Sequence, residues 1–398
     1  MGGLTMNTRV NPDFEKELQK YGKGNWNECF HCGNCTAICP LSEDGFLFPR
    51  NSIRTLQMGL EKKLETSIEP WLCYYCGDCS ETCPRDANPG ELMMALRRYL
   101  TTRYDWTGLS KKFYTSAVWE YAAIAIIALL VIVSFLVFLP LRPDAALMVN
   151  ESGGVMINSL VAGVSPDRFV TLIEYGDWLM AVIVGGLLIT NIFNMYYKTI
   201  IADKTVKIPL SAYFKEFWQL IYNFVTQASF SKCEKRSYWL GHLLLMTGYT
   251  IMFIIVVVFL PYFQIEEVVP VWHWQRLLGY YATFGILFFL GIVIFQRLRK
   301  NPITMKFSHA SDWIFIIMLA LTTLTGIILH IFRLAGMVEA TYYTYIIHLA
   351  VLVPMIVIEV PFSKWSHLAY RPFAIYFSKL KLATLKEKSV RKLAPAIS

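Results

Sequence analysis

Eight cysteines stand in two copies of one spacing. Cys29, Cys32, Cys35 and Cys39 are followed by Pro40, and Cys73, Cys76, Cys79 and Cys83 by Pro84. Each run reads C-x2-C-x2-C-x3-C-P, and the chemistry open to it is thiolate ligation of iron. Three sulfurs at intervals of three let a tight loop wrap a [4Fe–4S] cluster, while the fourth sits too far along to close the same cage. Each proline turns the chain after its fourth cysteine. Zinc sites read differently, as two C-x2-C pairs with a dozen or more residues between them. The first residues show no apolar stretch and no cleavage site, so no signal peptide is expected. That argues against a secreted disulfide framework. The ninth cysteine, Cys233, stands alone in a polar stretch and reads as an ordinary free thiol.

The two runs resemble those of bacterial two-cluster ferredoxins. The resemblance implies that the fourth cysteine of each run ligates the other run's cluster. It assigns Cys29, Cys32, Cys35 and Cys83 to one cluster and Cys73, Cys76, Cys79 and Cys39 to its neighbour. His31, inside the first run, is expected to lie outside the ligand set.

The elements that must hold these loops are helical. Helices are expected over 12–21, over 52–64, where Ile53, Leu56, Leu60 and Leu64 recur at helical spacing, and over 90–104 with Leu92, Met93, Leu96 and Leu100 on one face. The stretch between the runs lacks strand alternation, so an α-helical ferredoxin is expected rather than a β-containing one. Beyond residue 110 the composition changes. The whole chain is 55% hydrophobic with mean hydropathy +0.42, and the excess sits in six apolar runs near 117–139, 169–195, 238–260, 274–296, 313–334 and 342–362. Each is long enough to cross a bilayer, which takes about 20 residues. The expected fold class is all-α: an α-helical dicluster ferredoxin domain (1–110), two transmembrane helices with an amphipathic loop (111–236), a four-helix haem-binding bundle (237–371) and a basic tail (372–398).

Charge gives the sidedness. The net charge of +8 sits in the loops after spans two and four (Lys198 to Arg236, Arg297 to Lys306) and after span six, while the opposite loops carry Asp144, Glu151, Asp167, Glu266, Glu267 and Glu339. The positive-inside rule makes the basic side cytoplasmic, with both termini there, and removes any need for nucleic acid to explain the charge. Thiolate chemistry also favours the cytoplasmic side for the cluster domain. The segment Tyr213 to Val225 is expected as an amphipathic helix on the membrane surface or beneath the cluster domain.

Six of the seven histidines lie at or within the spans, where an ionisable group by default implies function. His348 and His367 are 19 residues apart. On one straight helix that is about 28 Å, close to the hydrocarbon thickness. His242 falls level with His367, and His330 roughly level with His348. His273 opens span four at the outer side, and His309 lies in a cytoplasmic loop. Two levels of paired imidazoles imply two b-type haems with bis-histidine ligation.

The segment from His348 through Pro361-Phe362-Ser363-Lys364 to His367 resembles the last haem-binding helix of the respiratory nitrate reductase gamma family, in which two such histidines each ligate one haem b. His242 is similar to the first haem histidine of that family's partner helix. The family's second histidine on that helix falls here near Met252, which leaves the outer haem's second ligand open between His330 and His273. The N-terminal half resembles the C-subunit type of heterodisulfide reductase. The fusion of both halves resembles the C-subunit family of quinone-interacting membrane-bound oxidoreductases. That resemblance implies menaquinol as donor, soluble flavin and iron–sulfur subunits as partners, and adenylylsulfate reductase as final acceptor.

A quinone site near a haem would need a proton-exchanging group, and Glu174, Asp177 and Arg333 are the candidates. A chain that itself reduced a disulfide would be expected to carry paired Cys-Cys-Gly motifs, and no two cysteines here are adjacent. A haem-free anchored ferredoxin is the plainer alternative.

Overall fold

The computed structural model describes residues 9–42, 46–138, 149, 153–155, 166–203, 207–263 and 267–393, and among these the chain is all-α, with one isolated bridge in place of strands. In the N-terminal unit six short helices, α1 (Phe14–Leu18), α2 (Asn34–Ala37), α3 (Arg50–Gln57), α4 (Glu61–Glu65), α5 (Glu69–Leu72) and α6 (Asp78–Glu81), surround α7 (Pro89–Tyr104). α7 starts cleanly because the Asn88 side chain accepts the Glu91 N–H and Pro89 takes a first-turn position whose N–H has no intrahelical partner. Leu92, Met93, Leu96 and Leu100 are buried with Phe14, Trp26, Ile53, Leu56 and Trp71 in one core. The single helix expected over 52–64 is two, α3 and α4. Gly59 separates them at φ +64°, where a Cβ would collide with the Asn11 carbonyl oxygen.

After α8 (Leu109–Thr115) come α9 (Ala117–Phe138), α10 (Pro166–Tyr196), α11 (Leu210–Thr226), α12 (Arg236–Val257), α13 (Leu260–Phe263), α14 (Trp274–Arg299), α15 (Ile303–Lys306), α16 (Ala310–Leu334) and α17 (Val338–Pro354). A π-turn (Met355–Glu359) and α18 (Val360–Phe362) prolong α17, and α19 (His367–Leu393) ends the described chain. Among the described residues six helices are long and apolar enough to cross a membrane: α9, α10, α12, α14, α16 and α17 with its extension. They turn Ile126, Leu129, Val182 and Phe284 outward, as lipid-facing helices do. α12 packs on α14, α14 on α16, α16 on α17, and α17 on α9, so the first span joins the row of the later four. Glycines bring α12 and α14 together: a Cβ on Gly248 would sit 3.0 Å from the Ala282 carbonyl, and one on Gly285 2.9 Å from that of Leu244.

The basic connections and the cluster unit share one end of the bundle. Lys235 pairs with Glu81 at 3.2 Å, α19 packs on both α5 and α11, and Thr304 of α15 lies against Gly77. At the other end Val155, from the first interspan loop, donates to the Arg333 carbonyl at 3.0 Å. Asp144, Glu151, Glu266 and Lys204 lie outside the described residues.

Two features depart from the sequence reading. His348 and His367 are not on one helix. Pro361 has no N–H to give, Ser363 leaves helical geometry (φ −124°, ψ −147°), and His367 opens α19 after a 3-10 turn. The straight 19-residue span between them therefore does not exist. The segment expected as a basic tail begins with buried apolar residues: Ala374, Ile375, Tyr376, Phe377 and Leu380 are buried, most of them in the core of the cluster unit.

Candidate cofactor sites

The two cysteine loops share a backbone. His31 and Gly33 have positive φ, and so do Tyr75 and Gly77, the residues that flank the second cysteine of each run. The glycines supply that conformation without strain. In each loop a short helix follows, α2 or α6, bringing the third cysteine round.

The fold then crosses the two runs. Cys39 lines one cavity with Cys73, Cys76 and Cys79, and the thiols nearest Cys35 are Cys29, Cys32 and Cys83. Among the described residues no three His, Cys, Asp or Glu side chains converge as on a single ion. The sulfurs border a space, as the ligands of a multi-iron cluster would. Burial pushes the Cys35 thiol up to about 11, and burial with Cys73 nearby pushes Cys39 up to about 12. Sulfurs so placed stay thiolates only with a cationic centre among them. The sets differ in access: Cys32 is exposed, with exposed Phe30, Ile38 and Leu47 around its loop, whereas Cys73 and Cys79 are buried.

Behind the buried set lies a cavity of about 210 Å³ whose wall includes Cys76, His242, His367, Arg97 and Arg371. Both imidazoles are prepared in the same way. His242 Nδ1 lies 2.9 Å from Gln227 Oε1, and His367 Nδ1 donates to the Lys364 carbonyl at 2.6 Å. With Nδ1 committed, Nε2 is the nitrogen left for iron. Burial, with Arg371 alongside, holds His367 well below the usual imidazole value, so the ring is neutral as a ligand must be. Arg97 Nη2 and Arg371 Nε are buried donors with no acceptor. Two imidazoles with Nε2 left free and unmet cationic donors on one cavity wall suit a haem with its propionates.

This cavity touches the buried thiols through aromatic rings. Tyr74, between Cys73 and Cys76 in sequence, stacks on Phe230 at 4.8 Å, and Phe230 meets His242 edge-on at 5.7 Å. Arg371 caps Tyr74 at 4.4 Å.

At the other end the candidates have separate neighbours. His348 Nδ1 lies 2.9 Å from Thr325 Oγ1, and its ring sits where a Cβ on Gly326 would come within 3.3 Å. His330 Nε2 lies 3.1 Å from the Tyr280 hydroxyl. His273 precedes α14, with a buried, unpartnered Nδ1. Arg333 Nε donates to the Val155 carbonyl at 3.2 Å, and Asp177 lies near Tyr345, one turn before His348. The Glu174 side chain lies outside the described residues. His309 caps α16, accepting the Ser311 N–H.

Sequence reasoning missed three things here. Cys233 is buried beside Tyr74 and Phe230, within hydrogen-bonding reach of Cys76, because the chain after α11 folds back over the second cysteine run. Asp312 of α16 binds Arg98 of α7 at 2.9 Å and Lys364 at 2.5 Å, locking the cluster unit to the bundle. Glu120 and Glu359 are wholly buried in the spans. All of these but Cys233 were open to the rule that a charge inside an apolar run has a reason.

Comparison with known proteins agrees with the thiol geometry. Residues 25–87 match a 4Fe-4S dicluster domain. The chain is also similar to a protein of Archaeoglobus profundus described as like the heterodisulfide reductase C-subunit, 40% identical over 77 residues, which is 19% of this chain and 41% of the relative. It thus spans about two fifths of the curated relative it matches. No solved structure matches it. An iron–sulfur domain joined to six membrane-crossing helices is the makeup of a membrane electron-transfer subunit.

Proposed function

We propose that this chain passes electrons between the quinone pool and soluble partner subunits, as the membrane component of a multisubunit oxidoreductase in the cytoplasmic membrane. The observation that carries the reading is the single cavity shared by Cys76, His242 and His367. Two [4Fe–4S] clusters and haem b, when bound, supply one-electron carriers in series. Cys29, Cys32, Cys35 and Cys83 would hold the outward cluster, and Cys39, Cys73, Cys76 and Cys79 the inward one. His242 and His367 would hold the inner haem. Arg97 and Arg371 offset the charge that a reduced centre or a propionate places in the cavity, and Tyr74 and Phe230 close the gap to the thiols while excluding water.

The exposed first loop, with Cys32 beside Phe30, is the natural landing face for a soluble flavin and iron–sulfur partner. The similarity to a protein like the heterodisulfide reductase C-subunit supports such an assembly. Menaquinol as donor, and a route toward adenylylsulfate reductase in sulfate reduction, rest on the family resemblance alone. Basic loops on the cluster side support cytoplasmic termini. Asp177, which lies near Tyr345, is one quinone-site candidate, with Glu174 and Arg333 as the others.

Pyridine haemochrome and iron assays on the purified protein test this. Two haems with about eight non-haem irons support the full chain of carriers, with His330 or His273 completing the outer site. The separate engagement of His348 and His330 favours a second reading with one haem, at His242 and His367, and His348 free for quinone chemistry. Absence of haem from protein purified with its clusters would leave an anchored ferredoxin and overturn both.

A further inference from the structure

Glu120, near the start of the first span, and Glu359, at the end of the π-turn in the last, meet inside the protein, and both are 0% exposed. The Ser363 hydroxyl donates to Glu120 Oε1 at 2.5 Å, and the Lys364 backbone N–H donates to Glu359 Oε2 at 3.2 Å. The other two oxygens, Glu120 Oε2 and Glu359 Oε1, are buried with no donor from the protein. The two carboxyls stand within hydrogen-bonding reach of each other. Among the described residues no arginine or lysine side chain pairs with either. The neighbouring ionisable groups are Tyr114 on α8 and Asp312 on α16, and Arg98 and Lys364 are spent on Asp312.

Two carboxylates facing one another in a buried site without a cation cannot both be charged. What completes the geometry is an O–H from one carboxyl to the other. We propose that Glu120 and Glu359 form a proton-binding site that holds one proton between them at neutral pH. A π-turn is a frequent mark of a functional position, and here it delivers Glu359 to the pair. The same segment then runs through Ser363 and Lys364 to His367, whose Nδ1–H rests on the Lys364 carbonyl. The pair therefore stands one short segment away from the cavity wall. It is placed to take up a proton when negative charge enters that cavity and to release it when the charge leaves. This second role rests on the cavity being an electron-carrier site, whereas the proton itself does not.

Infrared difference spectroscopy on the full-length protein in nanodiscs tests both statements. Spectra taken across a pH step are expected to show a protonated carboxyl C=O band at pH 7 that moves in D2O. The band is expected to shift in Glu120→Gln, Glu359→Gln and the milder Ser363→Ala, and to be lost in E120Q/E359Q. A wild-type spectrum without it, or a band unmoved by Ser363→Ala and by the double variant, overturns the site. Dithionite-reduced minus oxidised spectra are expected to show the same band changing intensity. A band present in the pH step but silent on reduction overturns the charge-linked role. A protein found to lack haem would still show the pH-step band, which separates failure of the electron reading from failure of the site.

Discussion

The two ends of the helical bundle treat their histidines differently. At the cluster end His242 and His367 come from separate helices, face one cavity, and each has Nδ1 tied down, by Gln227 and by the Lys364 carbonyl. At the far end His348 leans on Thr325, His330 on Tyr280, and His273 keeps a buried nitrogen without partner. Residue type is the same at both ends, and so is burial in an apolar bundle. What distinguishes them is convergence: at the cluster end two imidazoles share one cavity wall with the unmet donors of Arg97 and Arg371, whereas His348, His330 and His273 each have separate neighbours. A histidine becomes a cofactor ligand through its neighbours as much as through its depth.

The sharpest way to break this contrast is at the inner pair. His242→Ala or His367→Ala is expected to remove one whole haem per chain in the pyridine haemochrome assay, with non-haem iron unchanged. If the haem content stays the same, the ends do not differ as described. The crossed thiols come next. Cys39→Ser is expected to cost about four of about eight irons, and electron paramagnetic resonance should show the missing signal to be that lost in Cys76→Ser rather than in Cys32→Ser. His348→Ala sharpens the comparison from the far side: a two-haem protein loses one haem, a one-haem protein none, and in either case His242 and His367 keep theirs.

A stability test follows. Asp312→Asn leaves Lys364 without its carboxylate and Arg98 with Glu91 alone, at the cluster end only. Breaking a buried pair costs about 3–5 kcal/mol, so thermal unfolding in detergent should drop well below that of the wild type. The smallest effect belongs to Glu69. Burial raises its carboxyl above the ordinary range, although Asn51 and Ser52 donate to it at 3.2 and 3.1 Å. A raised carboxyl binds more protons folded than unfolded, so its contribution is present at low pH. That contribution is lost as pH climbs from the ordinary carboxyl value through the raised one. Glu69→Gln should therefore raise the melting midpoint slightly at pH 8, with the gain shrinking toward pH 4.

Much of this architecture was legible in the chain. The cysteine spacing announced iron–sulfur loops, six apolar runs announced six spans, and the lysines and arginines announced which loops share an end with the cluster unit. These are local signals, each complete within a few residues or one helix. The features that escaped are those made by residues far apart. Arg98 and Asp312 are separated by 214 positions, and nothing beside either one names the other. Cys233 read as an ordinary free thiol because its own stretch is polar, yet Tyr74, Phe230 and Ile375 of α19 bury it. The break at Ser363 falls just past the sixth apolar run, whose composition fits a straight helix. Pro361 was the visible cue, and it was absorbed into a motif.

The last helix has a consequence for how the protein is made. Tyr370, Ala374, Tyr376, Phe377 and Leu380 complete a hydrophobic core begun by Phe14 and Trp26. A nascent chain has synthesised both cysteine runs long before the residues that close their domain exist. Until α19 has been made, the cluster unit stands with one wall missing. A product cut short after the sixth span would lack both the wall and His367.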